Sequence, residues 1–135
     1  KHFLSLVGEH LSVDNMNKGI EMVSEQFNIS IPEFTVAGVP HGNFFAHEWY
    51  VATDDKVDET LLTKQLDENL KKLNDDYEVE RKHALKDISV KALPEAVFMD
   101  FMKSKGKVGG QHKFPRVLKG KILEEWKQFL NKVQQ

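Results

Sequence analysis

The sequence predicts one α/β domain with a ferredoxin-like β-α-β-β-α-β core, extended by an added strand and two C-terminal helices. Three observations support this fold class. Short runs of alternating apolar residues, typical of strands, are separated by longer segments with helical apolar spacing. The 135 residues, of which 40% are hydrophobic, suffice for a single core, and no linker divides residues 1–135. The absence of cysteine excludes disulfides and thiolate zinc sites.

The first half of the chain predicts strand, helix and hairpin in that order. An apolar run at residues 3–7 indicates a strand, and apolar residues recur at helical spacing between residues 14 and 28. Residues 34–39 alternate and end at the turn sequence PHGN, which predicts a hairpin with residues 44–53. Both faces of that second strand are largely apolar, so we expect it to lie centrally in the sheet with both faces covered.

The second half adds two strands and three helices. Leucines at helical spacing predict a helix near 58–73, and alternation in YEVER predicts a strand at 77–81. A further strand is expected at 88–93, followed by helices near 94–105 and 120–133. We expect a mixed, mostly antiparallel sheet, with the last two helices covering its second face.

Several kinds of chemistry are disfavoured by the sequence. The acidic run at 54–59 lacks the glycine and closing glutamate of an EF-hand, so its carboxylates are better explained as partners of the next helix's N-terminus. His41, His47 and Glu48 come nearest to a metal-ligand cluster, but alternation places His47 and Glu48 on opposite faces of one strand. Serine lacks the context of a nucleophile elbow. We therefore expect no metal site and no hydrolase triad.

Positive charge is concentrated in one stretch near the C-terminus. Residues 103–121 contain seven lysines and arginines and no carboxylate, although the whole chain carries a net charge of −2. Such a cluster attracts phosphates, carboxylates or nucleic acid, although a run of lysines is more often simply a solvated surface. Charge alone does not decide between these alternatives.

The residue types within this stretch are more specific than its charge. Gly109 and Gly110 permit a tight turn, while Pro115 fixes one backbone angle. Beside the proline lie three long hydrogen-bond donors: Gln111, Lys113 and Arg116. A lysine held in this way can pair with a phosphate or carboxylate, whereas the arginine either grips an oxyanion or anchors the loop to an acid.

Four segments resemble the Gretchen Hagen family of acyl acid-amido synthetases, and they occur in the family's order. QHKFPRVL (111–118) resembles its Q-x-K-x-P-R element, and SLVGEHLS (5–12) resembles its VGEKLS segment. FFAHEWYV (44–51) resembles an aromatic strand carrying a glutamate, and residues 66–81 resemble its LD-x-x-L-x-x-x-N-x-x-Y-x-x-x-R pattern. Two residues depart from the family, since His10 replaces a lysine and His112 stands where an aromatic residue is common.

The resemblance implies the small C-terminal lid domain of an adenylate-forming enzyme whose N-terminal domain is absent from this chain. The parent, which we expect to be a cytoplasmic bacterial ligase, would use ATP and Mg²⁺ to activate a carboxylic acid and join it to an amino acid. This fragment alone is expected to be inactive and to bind no cofactor. Its expected partners are the N-terminal adenylation domain, ATP, an acyl acid and an amino acid, with neither nucleic acid nor membrane.

The same resemblance assigns roles to individual residues. Lys113 is the expected catalytic residue, which would stabilise charge that develops during adenylation. The expected phosphate- or substrate-binding residues are Gln111, His112 and Arg116. The expected hinge and loop residues are Gly8, Glu9, Gly109, Gly110 and Pro115.

Two other functions are compatible with parts of the sequence. A stand-alone ferredoxin-like module could use the basic loop to bind a small anion. Nucleic-acid binding would require basic residues interleaved with aromatics on an exposed sheet. Trp49 and Tyr50 instead have acidic neighbours in the sequence, which disfavours the latter function.

Overall fold

A long β-hairpin occupies the middle of a four-stranded sheet in the computed structural model, which describes residues 11–106 and 113–133. β1 (Glu33–His41) pairs antiparallel with β2 (Phe44–Ala52) along its whole length. β2 pairs in parallel with β3 (Leu85–Leu93), and β1 pairs in parallel with the short β4 (Val117–Leu118). The strand order is β3-β2-β1-β4.

Helices cover both faces of the sheet. α1 (Val13–Phe27), α2 (Glu59–Leu73) and α3 (Asp75–Lys82) contribute to the core on one face. α4 (Glu95–Ser104) and α5 (Gly120–Val133) form the core on the other face. None of these helices, in the part of the chain that the structure describes, is long and apolar enough to cross a membrane.

The side chains of β2 divide between the two cores, as the alternation predicts. Phe45, Trp49 and Val51 pack beneath α1 and α2. Tyr50 and Ala52 pack against α4 and α5. The central position of β2 and the coverage of both its faces are therefore confirmed. This burial also makes Trp49 and Tyr50 inaccessible for stacking on nucleic-acid bases.

The mixed α/β fold class is confirmed, and all four predicted long helices are found. The strand predicted at residues 3–7 lies outside the described residues. The expected predominance of antiparallel pairing is not found among the described strands, since only the β1–β2 pair is antiparallel. The parallel pairing of β2 with β3 follows from the crossover through α2 and α3, which returns the chain in the same direction.

The strand predicted at residues 77–81 is wrong, because this segment forms α3. The Asn74 side chain caps this helix by accepting a hydrogen bond from the Tyr77 N–H at 2.8 Å. Asp75, Asp76 and Glu78 lie in its first turn, where acidic side chains favour the positive end of the helix dipole. These local signals outweigh an alternation only five residues long.

A buried polar network holds α2 and α3 together. The Asp67 carboxylate accepts hydrogen bonds from the Tyr77 hydroxyl at 2.6 Å and from Arg81 Nε at 3.0 Å. Arg81 also donates to the Leu85 carbonyl at 2.7 Å, which joins the network to the beginning of β3. Burial, and then the Asp67 carboxylate, raise the pKa of Tyr77 well above its usual value. The residues shared with the family pattern at 66–81 thus have a structural role in this domain.

His47 lies in the core beside this network. Its ring centroid is 6.3 Å from that of Tyr77, and neither ring nitrogen has a hydrogen-bond partner among the described residues. Burial is the main cause that lowers the pKa of His47 to about 4; Arg81 lowers it further, and Asp67 opposes the shift. Glu48 points to the opposite face, where it pairs with Lys127 of α5 at 3.0 Å. His47 is therefore a neutral core residue.

The lowered pKa of His47 predicts an acid-sensitive fold. The unfolded chain takes up a proton on this imidazole near pH 6.5, whereas the folded chain does so only near pH 4. Stability is therefore fully present above pH 6.5 and falls as the pH drops toward 4, by about 3 kcal/mol from this residue. We expect the free energy of unfolding, measured by urea titration at pH 7 and at pH 4, to fall less in His47→Phe than in the wild type. The difference between the two decreases should be about 3 kcal/mol.

The matched control for this measurement is His41→Phe. His41 is exposed at the end of β1, so its replacement should leave the pH dependence of the free energy of unfolding as in the wild type. Identical pH dependence in His47→Phe and the wild type would show that His47 is not the acid-sensitive group.

Candidate functional site

Lys113 is an exposed residue in the described part of the basic stretch. Its ammonium group has no hydrogen bond or ion pair with any residue in 11–106 or 113–133. The exposure expected for it is therefore observed. The residue that follows it, Phe114, is buried in the second core, so an accessible cation is attached to a packed neighbour.

Phe114 anchors the segment in the second core. It is 4% exposed, and its ring centroid lies 4.9 Å from that of Phe98 and 5.9 Å from that of Phe101, both on α4. The Trp126 ring of α5 lies 5.1 Å away. Edge-to-face and tilted contacts of this kind stabilise aromatic clusters beyond the burial of their area. The residue that follows Lys113 is thereby fixed between α4 and α5.

Backbone pairing with β1 fixes the other end of the segment. The Arg116 carbonyl accepts hydrogen bonds from the Val36 N–H at 2.9 Å and from the Thr35 hydroxyl at 3.3 Å. β4 begins at the next residue and lies parallel to β1. Pro115 is half-buried between these two anchors. The segment 113–118, which we call the lysine segment, is therefore joined to the sheet's edge at its C-terminal end.

The Arg116 guanidinium is occupied within the fold. It donates hydrogen bonds to the Glu33 carboxylate, to the Phe34 carbonyl at 3.2 Å and to Asn17 Oδ1 at 3.2 Å. Its central carbon lies 4.2 Å from the centroid of the Phe34 ring, a cation–π distance. Of the two roles that the sequence suggests for this arginine, this geometry favours anchoring the loop to an acid.

Glu33 is the acid in question, and no sequence pattern pointed to it. Besides Arg116, its Oε1 accepts a hydrogen bond from the Phe34 N–H at 3.2 Å, while its Oε2 accepts one from the Phe114 N–H at 3.3 Å. Glu33 precedes Arg116 by 83 residues. Local sequence patterns carry no signal for a partner at that separation, although the arginine itself indicated that some acid was needed.

Other cations of the basic stretch differ from Lys113 in their surroundings. Lys105 donates to the Glu125 carboxylate at 2.6 Å, and this hydrogen bond is the main cause that lowers the pKa of Glu125. Lys119 is exposed and, like Lys113, has no ion pair with a described residue. The described cations of the stretch are thus not equivalent in space, and Lys119 is a closer match for Lys113 than Lys105 is.

The structure brings together three of the predicted site residues, namely Lys113, Pro115 and Arg116. The remaining six predictions fall outside the described residues: Gly8, Glu9, Gly109, Gly110, Gln111 and His112. The roles expected for all nine stay predictions.

Two shallow surface depressions lie elsewhere on the domain. One, of about 510 Å³, lies between α2 and β3 and includes Asp67 and Arg81 of the polar network. The other, of about 800 Å³, lies at the start of α2, where Asp58 caps the helix by accepting hydrogen bonds from the N–H groups of Thr60 and Leu61. Neither depression is lined by the lysine segment. The acidic run at 54–59 contributes a helix cap, as the sequence analysis proposed.

Two solved structures share this architecture. One is described as "GH3.15 acyl acid amido synthetase", with a TM-score of 0.64, 16% sequence identity and coverage of 88% of this chain. The other, "AtGH3.15 acyl acid amido synthetase in complex with 2,4-DB", has a TM-score of 0.64, 17% identity and coverage of 90%. At these identities the likeness shows the fold alone. The chain spans only 24% and 25% of the length of those proteins.

A family model gives the more specific comparison. No curated protein matches the sequence. The model of the GH3 family C-terminal domain, by contrast, matches residues 14–121, which include the lysine segment and the polar network of α2 and α3. These comparisons do not bear on the expected bacterial origin, which stays a prediction. Because the match covers most of the chain, the chain belongs to the GH3 family, as a C-terminal domain of that family.

Proposed function

We propose that this chain is the mobile C-terminal domain of an ATP-dependent acyl acid-amido synthetase. In the proposed reaction, a carboxylate oxygen of the acyl acid attacks the α-phosphorus of ATP and pyrophosphate leaves. The amine of an amino acid then attacks the acyl carbon, AMP leaves, and the nitrogen loses a proton. The family match over residues 14–121 carries this proposal. The printed names of the two similar structures support it.

Lys113 is the residue that we propose to act in the first step. Adenylation develops negative charge on the α-phosphate and on the leaving pyrophosphate, and a positioned ammonium group stabilises such charge. Lys113 is exposed and has no ion pair with a described residue, so no contact with that part of the chain has to break before it contacts a phosphate. The anchors at Phe114 and Arg116 would make it move with the domain as a unit.

The neighbouring residues receive supporting roles. We assign Gln111 and His112, which precede Lys113 in the chain, to hydrogen bonds with phosphate or substrate oxygens. Arg116 serves as the anchor of the loop, because its guanidinium is already bound to Glu33. The pairs Gly8–Glu9 and Gly109–Gly110 supply the backbone freedom that a domain rotation and a loop turn require.

The remaining components belong to the parent enzyme. Mg²⁺ is commonly held by substrate phosphates and one or two carboxylates, so it would enter with ATP. The described residues contain no group of three or more His, Asp or Glu side chains that could hold it independently. The N-terminal domain would supply most of the ATP and acyl-acid contacts. An enzyme with these substrates would work in the cytoplasm.

Replacing Lys113 tests the proposed function directly. In the full-length enzyme, Lys113→Ala should lower the rate of adenylation by about 10²-fold, as expected when one preorganised contact made mainly in the transition state is lost. Thermal stability should change little, because the side chain is exposed and unpaired. The measurement is single-turnover pyrophosphate release, with ATP and a carboxylic acid selected by screening the unaltered enzyme.

Lys119→Ala is the matched control, since Lys119 directly follows the lysine segment, is exposed and has no ion pair with a described residue. It should leave the adenylation rate nearly unchanged. Equal effects of the two substitutions would contradict the role of Lys113. A loss confined to amide formation would place Lys113 in the second step instead.

The isolated chain should not bind ATP with micromolar affinity. Small ligands normally need an enclosed pocket with several convergent contacts, and Lys113 is an exposed cation at the edge of a sheet. Calorimetric titration of the 135-residue chain with ATP and Mg²⁺ should therefore give no micromolar dissociation constant. Micromolar binding would contradict the dependence on an N-terminal domain and favour a stand-alone anion-binding module.

A further inference from the structure

We infer that Glu33 is a positioning residue, which sets the direction in which Lys113 approaches the phosphates. This inference rests on the proposed function of Lys113. Glu33 is the first residue of β1, and its carboxylate contacts the lysine segment on both sides of Pro115. Glu33 is not one of the nine predicted site residues.

The hydrogen bond from the Phe114 N–H to Glu33 acts on Lys113 through the peptide plane. The Phe114 nitrogen and the α-carbon of Lys113 lie in one rigid peptide unit. A bond that fixes the direction of this N–H therefore fixes the direction in which the Lys113 backbone continues. Burial of the Phe114 ring fixes the same unit from its other side.

The second contact of the carboxylate fixes the segment two residues later, at Arg116. Glu33 Oε1 accepts a hydrogen bond from Arg116, while Oε2 accepts the one from Phe114. The Glu33 and Arg116 side chains are 21% and 29% exposed, so water only partly competes for this pair. One carboxylate thus closes a clasp around Pro115, which we call the Glu33 clasp.

The chemistry of the clasp requires a carboxylate. An ionised carboxylate has two acceptor oxygens and no donor, which suits the two donors that face Glu33 from the lysine segment. A glutamine of the same shape would present an N–H₂ group to one of them. The negative charge also neutralises Arg116 locally, so that the arginine does not compete with Lys113 for a phosphate.

The inference is tested in the full-length enzyme by combining Glu33→Gln with Lys113→Ala. Glu33→Gln alone should lower the adenylation rate by about 10-fold, because a misplaced catalytic group loses part of its effect. In the Lys113→Ala background it should have almost no further effect, since there is no ammonium group left to position. Glu25→Gln is the control, as Glu25 is exposed on α1 and its side chain has no hydrogen bond or ion pair with a described residue.

A second measurement is independent of activity. Hydrogen exchange of peptides covering the lysine segment should be faster in Glu33→Gln by about 10-fold, because local opening becomes easier when the clasp is weakened. Exchange of a peptide covering β2 should not change, which also verifies that the variant is folded. If Glu33→Gln fails to fold, Arg116→Lys weakens the same clasp from its other side and should give the same two results.

Three outcomes would overturn the inference. One is an equal loss of rate from Glu33→Gln in the wild type and in the Lys113→Ala background, since this indicates a general structural role. Another is unchanged exchange of the lysine segment. The third is a large loss from Lys113→Ala with none from Glu33→Gln, which leaves the proposed function intact. If Lys113→Ala itself has no effect, the proposed role of Lys113 fails together with its positioning.

Discussion

Burial of both faces of the β1–β2 hairpin is the constraint from which the rest of the domain follows. β2 is apolar on both sides, so helices must cover the sheet above and below. α1, α2 and α3 cover one face before β3 is complete. The chain must then cross to the other face, where α4 and α5 form the second core. The lysine segment belongs to the connection between those two helices. Its β4 residues pair with the edge of β1 that β2 does not occupy.

The Asp67 network and the Glu33 clasp differ in what they leave exposed. The network of Asp67, Tyr77 and Arg81 satisfies its own donors and acceptors and joins α2, α3 and β3. The Glu33 clasp also supplies acceptors for two donors of the lysine segment, the Phe114 N–H and the Arg116 guanidinium. It lies beside an exposed lysine, however. Paired groups in a partly dry environment give the fold its specificity, whereas an unpaired cation at the surface is available to a ligand.

Charge segregation in the sequence is partly cancelled in space. Lys105 pairs with Glu125 of α5, and Arg116 pairs with Glu33 of β1. Each of these pairs reduces the local positive field. The positive charge that remains near the lysine segment is therefore smaller than the count of seven suggests. Lys113 is distinguished by its attachment to an anchored backbone rather than by membership in a basic run.

The sequence predicted those parts of the fold whose signals are long and periodic. The helices at 14–28 and 120–133 and the central strand each extend over nine or more residues, so their patterns are unambiguous. The strand prediction at residues 77–81 is wrong because alternation over five residues is a weaker signal than the Asn74 cap and the acidic first turn of α3. Strand pairing was also mispredicted in part, because the direction of β3 depends on how the crossover packs.

The candidate site shows the same division between local and long-range information. Lys113 and Arg116 were selected from their own sequence context, but Glu33, which lies 83 residues before Arg116, is identified as its partner only by the folded structure. In the function that we propose, a lid delivers a charge to a reaction centre, which requires that domain motion is transmitted to that charge without loss. A lysine on a flexible loop would transmit little, since its backbone would adjust before its ammonium group pressed on a phosphate. Fixing Phe114 between two helices and Arg116 on the first strand makes the Lys113 backbone part of the rigid body, so only its own side-chain torsions remain to be ordered.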